Sequence, residues 1–132
     1  MKPITNEWLK SAKNDLDTIE AIISKTELTG VVSFHSQQCI EKVLKAIIEE
    51  FEISMIKTHD LIKLIGLVPT DCPIQFDEDK MTLLNKLYIE SRYPGELGLL
   101  PDGKPSPQTA KDFYEYAKKI HNEAKNWLSS LN

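Results

Sequence analysis

Residues 31–51, VVSFHSQQCIEKVLKAIIEEF, constrain the fold more than any other stretch of the chain. Apolar and small side chains recur there at steps of three and four residues, which is the spacing of one face of an α-helix. This predicted face consists of Ser36, Cys39, Ile40, Val43, Leu44, Ile47, Ile48 and Phe51. No strand pattern, internal repeat or low-complexity tract occurs elsewhere, so we expect other helices to cover this face.

A second stripe runs along the same predicted helix. Phe34, Gln38, Glu41 and Lys45 recur at i, i+4, i+7 and i+11, well away from the centre of the apolar face. An aromatic ring, an amide, an acid and a lysine stacked in this way are consistent with a binding surface. They are also consistent with a solvated face whose charges support the helix. Both interpretations stay open at this level.

Four further helices are predicted, with recognisable start signals. They cover about residues 5–25, 59–67, 77–91 and 107–131, the second of them short. Thr5 or Asn6 is the expected N-cap of the first, Thr58 of the short one, and Ser106 of the last. Gly30 is expected to form the turn between the first two helices. The fold class is therefore all-α, an antiparallel up-and-down bundle of four long helices plus one short helix, in a single domain over residues 1–132.

One long loop is predicted within this bundle. Residues 94–107, PGELGLLPDGKPSP, are rich in proline and glycine. Loops of this length in a compact domain are usually functional or mobile. Leu97, Leu99 and Leu100 need cover from the bundle or from a partner chain.

Charge and segment length limit the classes of function. The formal net charge of −4 argues against a generic nucleic-acid binder driven by charge alone. No apolar run approaches the roughly 20 residues that cross a bilayer, and the first ten residues have no apolar signal-peptide centre. We therefore expect a cytoplasmic protein without membrane contact, in which Cys39 and Cys72 are free thiols.

Known catalytic and metal-binding patterns are absent from the sequence. There is no phosphate-binding glycine loop, no cysteine or histidine spacing for a metal, and no serine nucleophile motif. His35, His59 and His121 lie on three different predicted helices. We predict no cofactor, no metal and no catalytic residue, and we interpret His121, on the apolar stripe of the last helix, as a histidine at the edge of the core.

Polar side chains from several predicted elements are nevertheless expected to lie near one end of the bundle. The set comprises His35, Gln38, Glu41, Lys42, Lys45, His59, Asp60, Arg92 and Tyr93. Lysine and arginine suit phosphate, and Phe34 or Tyr93 could stack on a base. The alternative is an internal salt-bridge network that joins Asp15 and Glu41 to Lys42, Lys45 and Arg92. Asp15 lies on the apolar face of the first helix, where it requires a lysine, a histidine or a helix N-terminus as partner.

Four segments together resemble the HEPN domain family (higher eukaryotes and prokaryotes nucleotide-binding). They are WLKSAKNDL at 8–16, FHSQQCIEKVLKAII at 34–48, KTHDL at 57–61 and SRYP at 91–94. The resemblance implies a helical bundle, usually a homodimer, with a role near nucleotides or nucleic acid. Many small prokaryotic members are encoded beside a minimal nucleotidyltransferase and form a toxin–antitoxin-like system with it, which makes that enzyme an expected partner.

Matched by position, the family motif falls on Phe34, Gln37, Gln38, Glu41, Lys42, Lys45, Thr58, His59, Asp60, Arg92, Tyr93 and Pro94. The ribonuclease branch of the family carries an arginine, four to six residues and then a histidine. Here Arg92 is followed by no histidine until His121. The resemblance therefore places this chain in the non-nuclease branch.

The function expected from these arguments is non-catalytic binding of a nucleotide or nucleic acid. The expected binding residues are Phe34, Gln38, Lys42, Lys45, His59, Arg92 and Tyr93, and the expected structural polar network is Asp15, Glu41 and Asp60. Two alternatives remain: a metal-independent ribonuclease with a non-standard histidine, and a protein-interaction domain whose polar cluster only holds the fold.

Overall fold

The computed structural model describes residues 1–90 and 104–131, and all regular structure in them is helical. The helices are α1 (Pro3–Ile22), α2 (Thr29–Glu50), α3 (Leu61–Ile65), α4 (Glu78–Glu90) and α5 (Pro107–Ser130), with a 3-10 helix at Thr26–Leu28. The all-α prediction of four long helices and one short helix is confirmed. The predicted site residues Arg92 and Tyr93, and the leucines of the proline-rich loop, lie outside the described residues.

Three predicted helix boundaries are wrong. Helix α1 begins at Pro3, which suits the first helical turn because an N–H at that position would have no partner within the helix. Thr5 lies inside the helix and is buried, so it does not act as the N-cap. Gly30 does not form a turn but lies in the first turn of α2, since the chain reverses through the preceding 3-10 helix. Helix α3 begins at Leu61 because Asp60, not Thr58, accepts the free N–H groups.

The helices run alternately up and down. At one end, Oε1 of Glu50 near the end of α2 accepts hydrogen bonds from the backbone N–H of Lys2 (2.9 Å) and from Oγ1 of Thr5 (2.8 Å), so α1 and α2 are antiparallel. Phe51 and Trp127 stack at the C-terminal ends of α2 and α5, so these two helices run in the same direction. At the opposite end, Tyr88 of α4 stacks on Phe34 of α2, so α4 runs against α2.

Helix α2 is the central element of the bundle. The other long helices pack on it, and most side chains of its predicted apolar face are completely buried, from Cys39 to Ile48. Burial of this face supplies much of the stability, at about 25 cal/mol per Å² of apolar surface. In residues 1–90 and 104–131, no helix combines the length and apolar character that crossing a membrane requires.

Candidate functional site

Glu41 is the centre of a polar cluster on α2. Its side chain is only 5% exposed, and its carboxylate accepts hydrogen bonds at both oxygens. Oε1 accepts from Nδ1 of His59 (2.9 Å), Nε2 of Gln37 (3.3 Å) and Nε2 of Gln38 (3.4 Å), and Oε2 accepts from Nζ of Lys45 (2.9 Å). A buried carboxylate needs this number of donors to offset its lost hydration.

His59 is the exposed member of this cluster. Its side chain is 56% exposed, although its ring is held by a buried acid. The ring also lies against Tyr88, with 5.2 Å between ring centroids, and Tyr88 stacks on Phe34 at 5.3 Å with nearly parallel planes. The imidazole is therefore fixed on one side by a charge-assisted hydrogen bond and on another by aromatic contact.

The backbone around His59 is held as firmly as the ring. Nε2 of the fully buried Gln37 donates to the carbonyl oxygen of His59 at 2.8 Å. Oδ1 of Asp60 accepts from the backbone N–H of Ile62 (2.9 Å) and from Nδ2 of Asn85 (2.8 Å), and Oδ1 of Asn85 accepts from the N–H of Leu61 (3.0 Å). Side chains from α2 and α4 thus fix the segment that carries His59 from both sides.

A second cluster of similar composition joins α1 to α2. Asp15, whose side chain is 8% exposed, accepts from Nδ1 of His35 at Oδ1 and from Nζ of Lys42 at Oδ2, both at 2.8 Å. Asp15 therefore has the basic partners that an acid on the apolar face of α1 requires. The rings of His35 and Phe34 are nearly perpendicular, with 5.4 Å between their centroids. The two clusters therefore lie on either side of the Phe34–Tyr88 ring pair.

The structure changes the interpretation of the second stripe of α2. The view of it as a solvated face is wrong, because Glu41 is buried and Gln38 and Lys45 are partly buried. The ammonium group of Lys45 lies between its carboxylate partner and the ring of Trp8, 5.5 Å from the ring centroid. The side chains of the stripe instead take part in a polar network, which continues into the stacked rings of Phe34 and Tyr88.

Of the residues predicted as a site, the structure brings together Phe34, Gln38, Lys45, His59 and the supporting Glu41 and Asp60. Lys42 lies in the Asp15 cluster. The predicted roles of Arg92 and Tyr93 remain predictions. The sequence did not reveal the roles of Asn85 and Tyr88, because both lie within a predicted helix and outside the motifs and stripes described above.

The charges of the two lysines are already paired. Lys42 and Lys45 each contact a carboxylate at 2.8–2.9 Å, which offsets the attraction that either ammonium exerts on an anion. His59 is the group of the Glu41 cluster that combines exposure with a fixed orientation. A fixed imidazole can accept a hydrogen bond, donate one when protonated, or act as a proton acceptor in catalysis.

His121, the third histidine, is enclosed by the core and has no carboxylate partner in the described part of the chain. Its Nε2 donates to the backbone carbonyl of Leu9 at 3.3 Å. Burial lowers the pKa of His121 and outweighs the opposing effect of this hydrogen bond. The prediction of a histidine at the core edge is confirmed.

A cleft and the two cysteines in the described part of the chain lie outside the two polar clusters. A cleft of about 560 Å³ between the start of α4 and α5 is lined by residues such as Asp77, Lys80 and Tyr116, and it contains none of the predicted site residues. Among the described residues, no three His, Cys, Asp or Glu side chains are grouped to hold a metal ion. Cys39 and Cys72 are free thiols, as predicted, and burial raises the pKa of both.

Comparison with known proteins identifies the family and the fold. The family model described as "HEPN domain" matches residues 5–127. TT1696 from Thermus thermophilus superposes with a TM-score of 0.75 at 20% identity, over 95% of this chain and 98% of that one. ST0689, an archaeal HEPN homologue, superposes with a TM-score of 0.64 at 21% identity, over 96% and 98%. At these identities the two structures show a shared fold. No curated protein matches the sequence significantly.

Proposed function

Because the chain belongs to the HEPN domain family, we propose that it is a non-catalytic module that binds a nucleotide or nucleic acid at the surface around His59. The observation that carries this proposal is the combination of an exposed imidazole with a buried carboxylate that holds it. Such a carboxylate is costly to bury, and the segment it fixes is not part of the apolar core. Polar side chains whose orientation is fixed by supporting hydrogen bonds are typical of functional sites.

The surroundings of His59 suit the parts of a nucleotide. Gln38 is partly buried beside it and offers an amide, and the partly exposed Phe34 ring stacks on the buried Tyr88. Lys45 and Lys42 add positive charge that their carboxylates offset. We retain Arg92 and Tyr93 as proposed phosphate and base contacts on the strength of the sequence alone.

A metal-independent ribonuclease is the second candidate, and one observation favours it. Glu41 accepts from Nδ1 of His59, which is the way an acid orients a histidine that acts as general base. Against it stands the absence of a histidine four to six residues after Arg92. Cleavage that needs His59 would make this candidate the leading one.

We also propose that the module acts as a homodimer beside a minimal nucleotidyltransferase, in a toxin–antitoxin-like pair. The support is the family resemblance, together with large apolar side chains exposed on the described surface, among them Val31 (40%) and Ile89 (59%). Light scattering on purified protein should give twice the chain mass. Ile89→Asp should lower the mass toward a monomer, while Lys86→Asp on the same helix should not.

The test of the binding proposal is a panel of ribonucleotides and short RNAs, added without metal, with melting temperature and RNA integrity read together. A ligand at about a hundred times its dissociation constant stabilises the folded state by roughly 2.7 kcal/mol, which gives a clear shift. We expect a shift with intact RNA, and we expect His59→Ala to reduce the shift to about half or less while His35→Ala keeps it.

Two other outcomes would contradict the binding proposal. RNA cleavage that disappears in His59→Ala would establish the ribonuclease. Absence of both shift and cleavage, with stability loss in Glu41→Ala, would leave a protein-interaction domain whose polar network holds the fold.

A further inference from the structure

We infer that Glu41 and Gln37 are positioning residues that fix His59 as a hydrogen-bond acceptor, so that His59 recognises an O–H or N–H donor of the ligand and not its phosphate. This inference rests on the proposed function and names the ligand group that His59 contacts. The chemistry that fits is a ribose hydroxyl or a nucleobase amino group.

The tautomer of His59 follows from the hydrogen bonds around Glu41. Lys45 can only donate, and the amide Nε2 atoms of Gln37 and Gln38 also donate, so the Glu41 carboxylate acts as acceptor in every one of its contacts. Nδ1 of His59, 2.9 Å away, must then carry the proton. In the neutral ring, this leaves the lone pair on Nε2.

Gln37 fixes the position of this ring as well as its protonation. Its amide Nε2 donates to the carbonyl of His59 at 2.8 Å, and its own Oε1 accepts from Nε2 of Gln38 at 2.7 Å. Gln37 is completely buried, so it cannot rotate away into solvent. A site residue held at both backbone and ring is already ordered before ligand binds, which lowers the entropy cost of binding.

The charge balance near His59 disfavours phosphate. Lys45 is paired with Glu41 and Lys42 with Asp15, each within 2.9 Å, so their net attraction for an anion is small. An Nε2 lone pair and a phosphate oxygen are both acceptors and have no proton to share. A hydroxyl or amino hydrogen supplies what Nε2 lacks.

The first test reads the tautomer directly in ligand-free protein of full length. Long-range ¹H–¹⁵N correlation of histidine-labelled protein at about pH 8.5 distinguishes protonated from unprotonated ring nitrogens. We expect Nδ1–H for His59 and His35, and Nε2–H for His121, which donates to the Leu9 carbonyl. A His59 spectrum of the Nε2–H form would overturn the inference.

Variants of Glu41 separate positioning from simple structural support. Glu41→Gln offers both a donor and an acceptor, so His59 should lose its single tautomer while His35 keeps the Nδ1–H form. Gln37→Met should broaden the His59 signals by releasing its backbone. An unchanged His59 tautomer in Glu41→Gln would overturn the role of Glu41.

The second test compares ligands that differ by single donors. Adenosine, 2′-deoxyadenosine, purine riboside and inorganic phosphate are titrated while His59 Nε2 is observed. We expect adenosine to shift Nε2. Loss of the donor that contacts Nε2, which is either the 2′-hydroxyl or the amino group, should weaken affinity about three- to tenfold, the usual effect of one hydrogen bond. Phosphate that shifts Nε2 more strongly than adenosine, or affinities indifferent to both deletions, would overturn the inference.

Failure of the inference differs from failure of the proposed function. If no nucleotide or RNA shifts the melting temperature, the proposed function fails, whatever the tautomer of His59. If nucleotides bind but His59 carries its proton on Nε2, only the inference fails.

Discussion

Two clusters of this protein contain the same three kinds of side chain, and they do different things. In one, Asp15 of α1 holds His35 and Lys42 of α2, and both basic partners are largely covered, with exposures of 25% and 21%. In the other, Glu41 holds Lys45 one turn away on the same helix and His59 on a distant segment. The first cluster joins two helices, whereas the second presents an imidazole that is 56% exposed.

Composition therefore does not tell the two clusters apart, because each contains an acid, a histidine and a lysine. They differ in which member of the cluster remains accessible once the acid has its partners. His35 is partly covered and faces Phe34, whereas His59 is held by Glu41 and open to solvent. The following predictions test this contrast, from the largest expected effect to the smallest.

Removal of Asp15 should give the largest loss of stability. Asp15→Ala leaves Lys42 partly buried without its carboxylate, and His35 without its Nδ1 acceptor. We expect the free energy of unfolding to fall by about 2 to 3 kcal/mol, less than for a completely buried pair because Lys42 and His35 are partly exposed. Urea denaturation measures this change, and nucleotide affinity of the folded variant should be nearly unaffected.

The matched control for Asp15 lies on the same helix. Asp17 is also paired with a lysine, Lys13, but both side chains are more than half exposed. Solvent screening makes such pairs weak, so Asp17→Ala should leave the unfolding midpoint unchanged within error. Equal effects of the two substitutions would contradict a structural role for Asp15.

Removal of His59 should lower nucleotide affinity strongly and stability only slightly, the opposite of removing Asp15. Its side chain is exposed, so His59→Ala should change stability by less than about 1 kcal/mol. Nucleotide affinity should fall about tenfold or more, since a fixed polar contact is lost. Titration calorimetry measures the affinity. His35→Ala should show the reverse pattern, and equal affinity losses in the two variants would remove the contrast between the clusters.

Substitution of Asn85 should have an intermediate effect on stability and affinity, because Asn85 helps to fix the segment that carries His59. Asn85→Ala removes the two hydrogen bonds that tie Asp60 and Leu61 to α4. We expect a stability loss of about 1 kcal/mol and a smaller loss of affinity than in His59→Ala. Thr82→Ala, an exposed substitution one turn earlier, is the control. An affinity equal to that of the unmodified chain would show that α4 does not position His59.

The smallest expected effect concerns His121, which has no carboxylate partner in the described part of the chain. Burial lowers the pKa of His121 in the folded state, so the unfolded chain binds more protons in the range below its ordinary pKa of about 6.5. The stability contribution of the neutral ring is therefore complete above this range and is lost as the pH falls through it. Denaturation curves from about pH 7.5 to 5 should show this slope, and His121→Gln should reduce it. An identical slope in the variant would assign the pH dependence to other groups.

Much of the fold was predictable from spacing. The three- and four-residue periodicity of α2 and α5 and the Ser106-Pro107 start of α5 were sufficient to place these helices. The start of α1 was mistaken because Thr5 is a good cap residue locally, whereas its hydroxyl is used in a contact with Glu50, 45 residues away. Local propensity contains no information about such a partner.

The candidate site was less predictable, for a similar reason. The sequence stripe brought Phe34, Gln38, Glu41 and Lys45 to one helix face, but a helix pattern does not show what covers that face. Its cover includes Tyr88, which meets Phe34 and His59 only through the packing of α4. The roles of Asn85 and Tyr88 therefore depend on tertiary structure and left no local signal.

The most direct test of the central claim is a titration of histidine-labelled protein with adenosine monophosphate, followed at the ring resonances of all three histidines. If the Glu41 cluster is the binding surface, the His59 signals should move to saturation, those of His35 should move less, and those of His121 should stay in place. Binding that raises the melting temperature while the His59 signals remain fixed would contradict the account, because the ligand would then lie elsewhere.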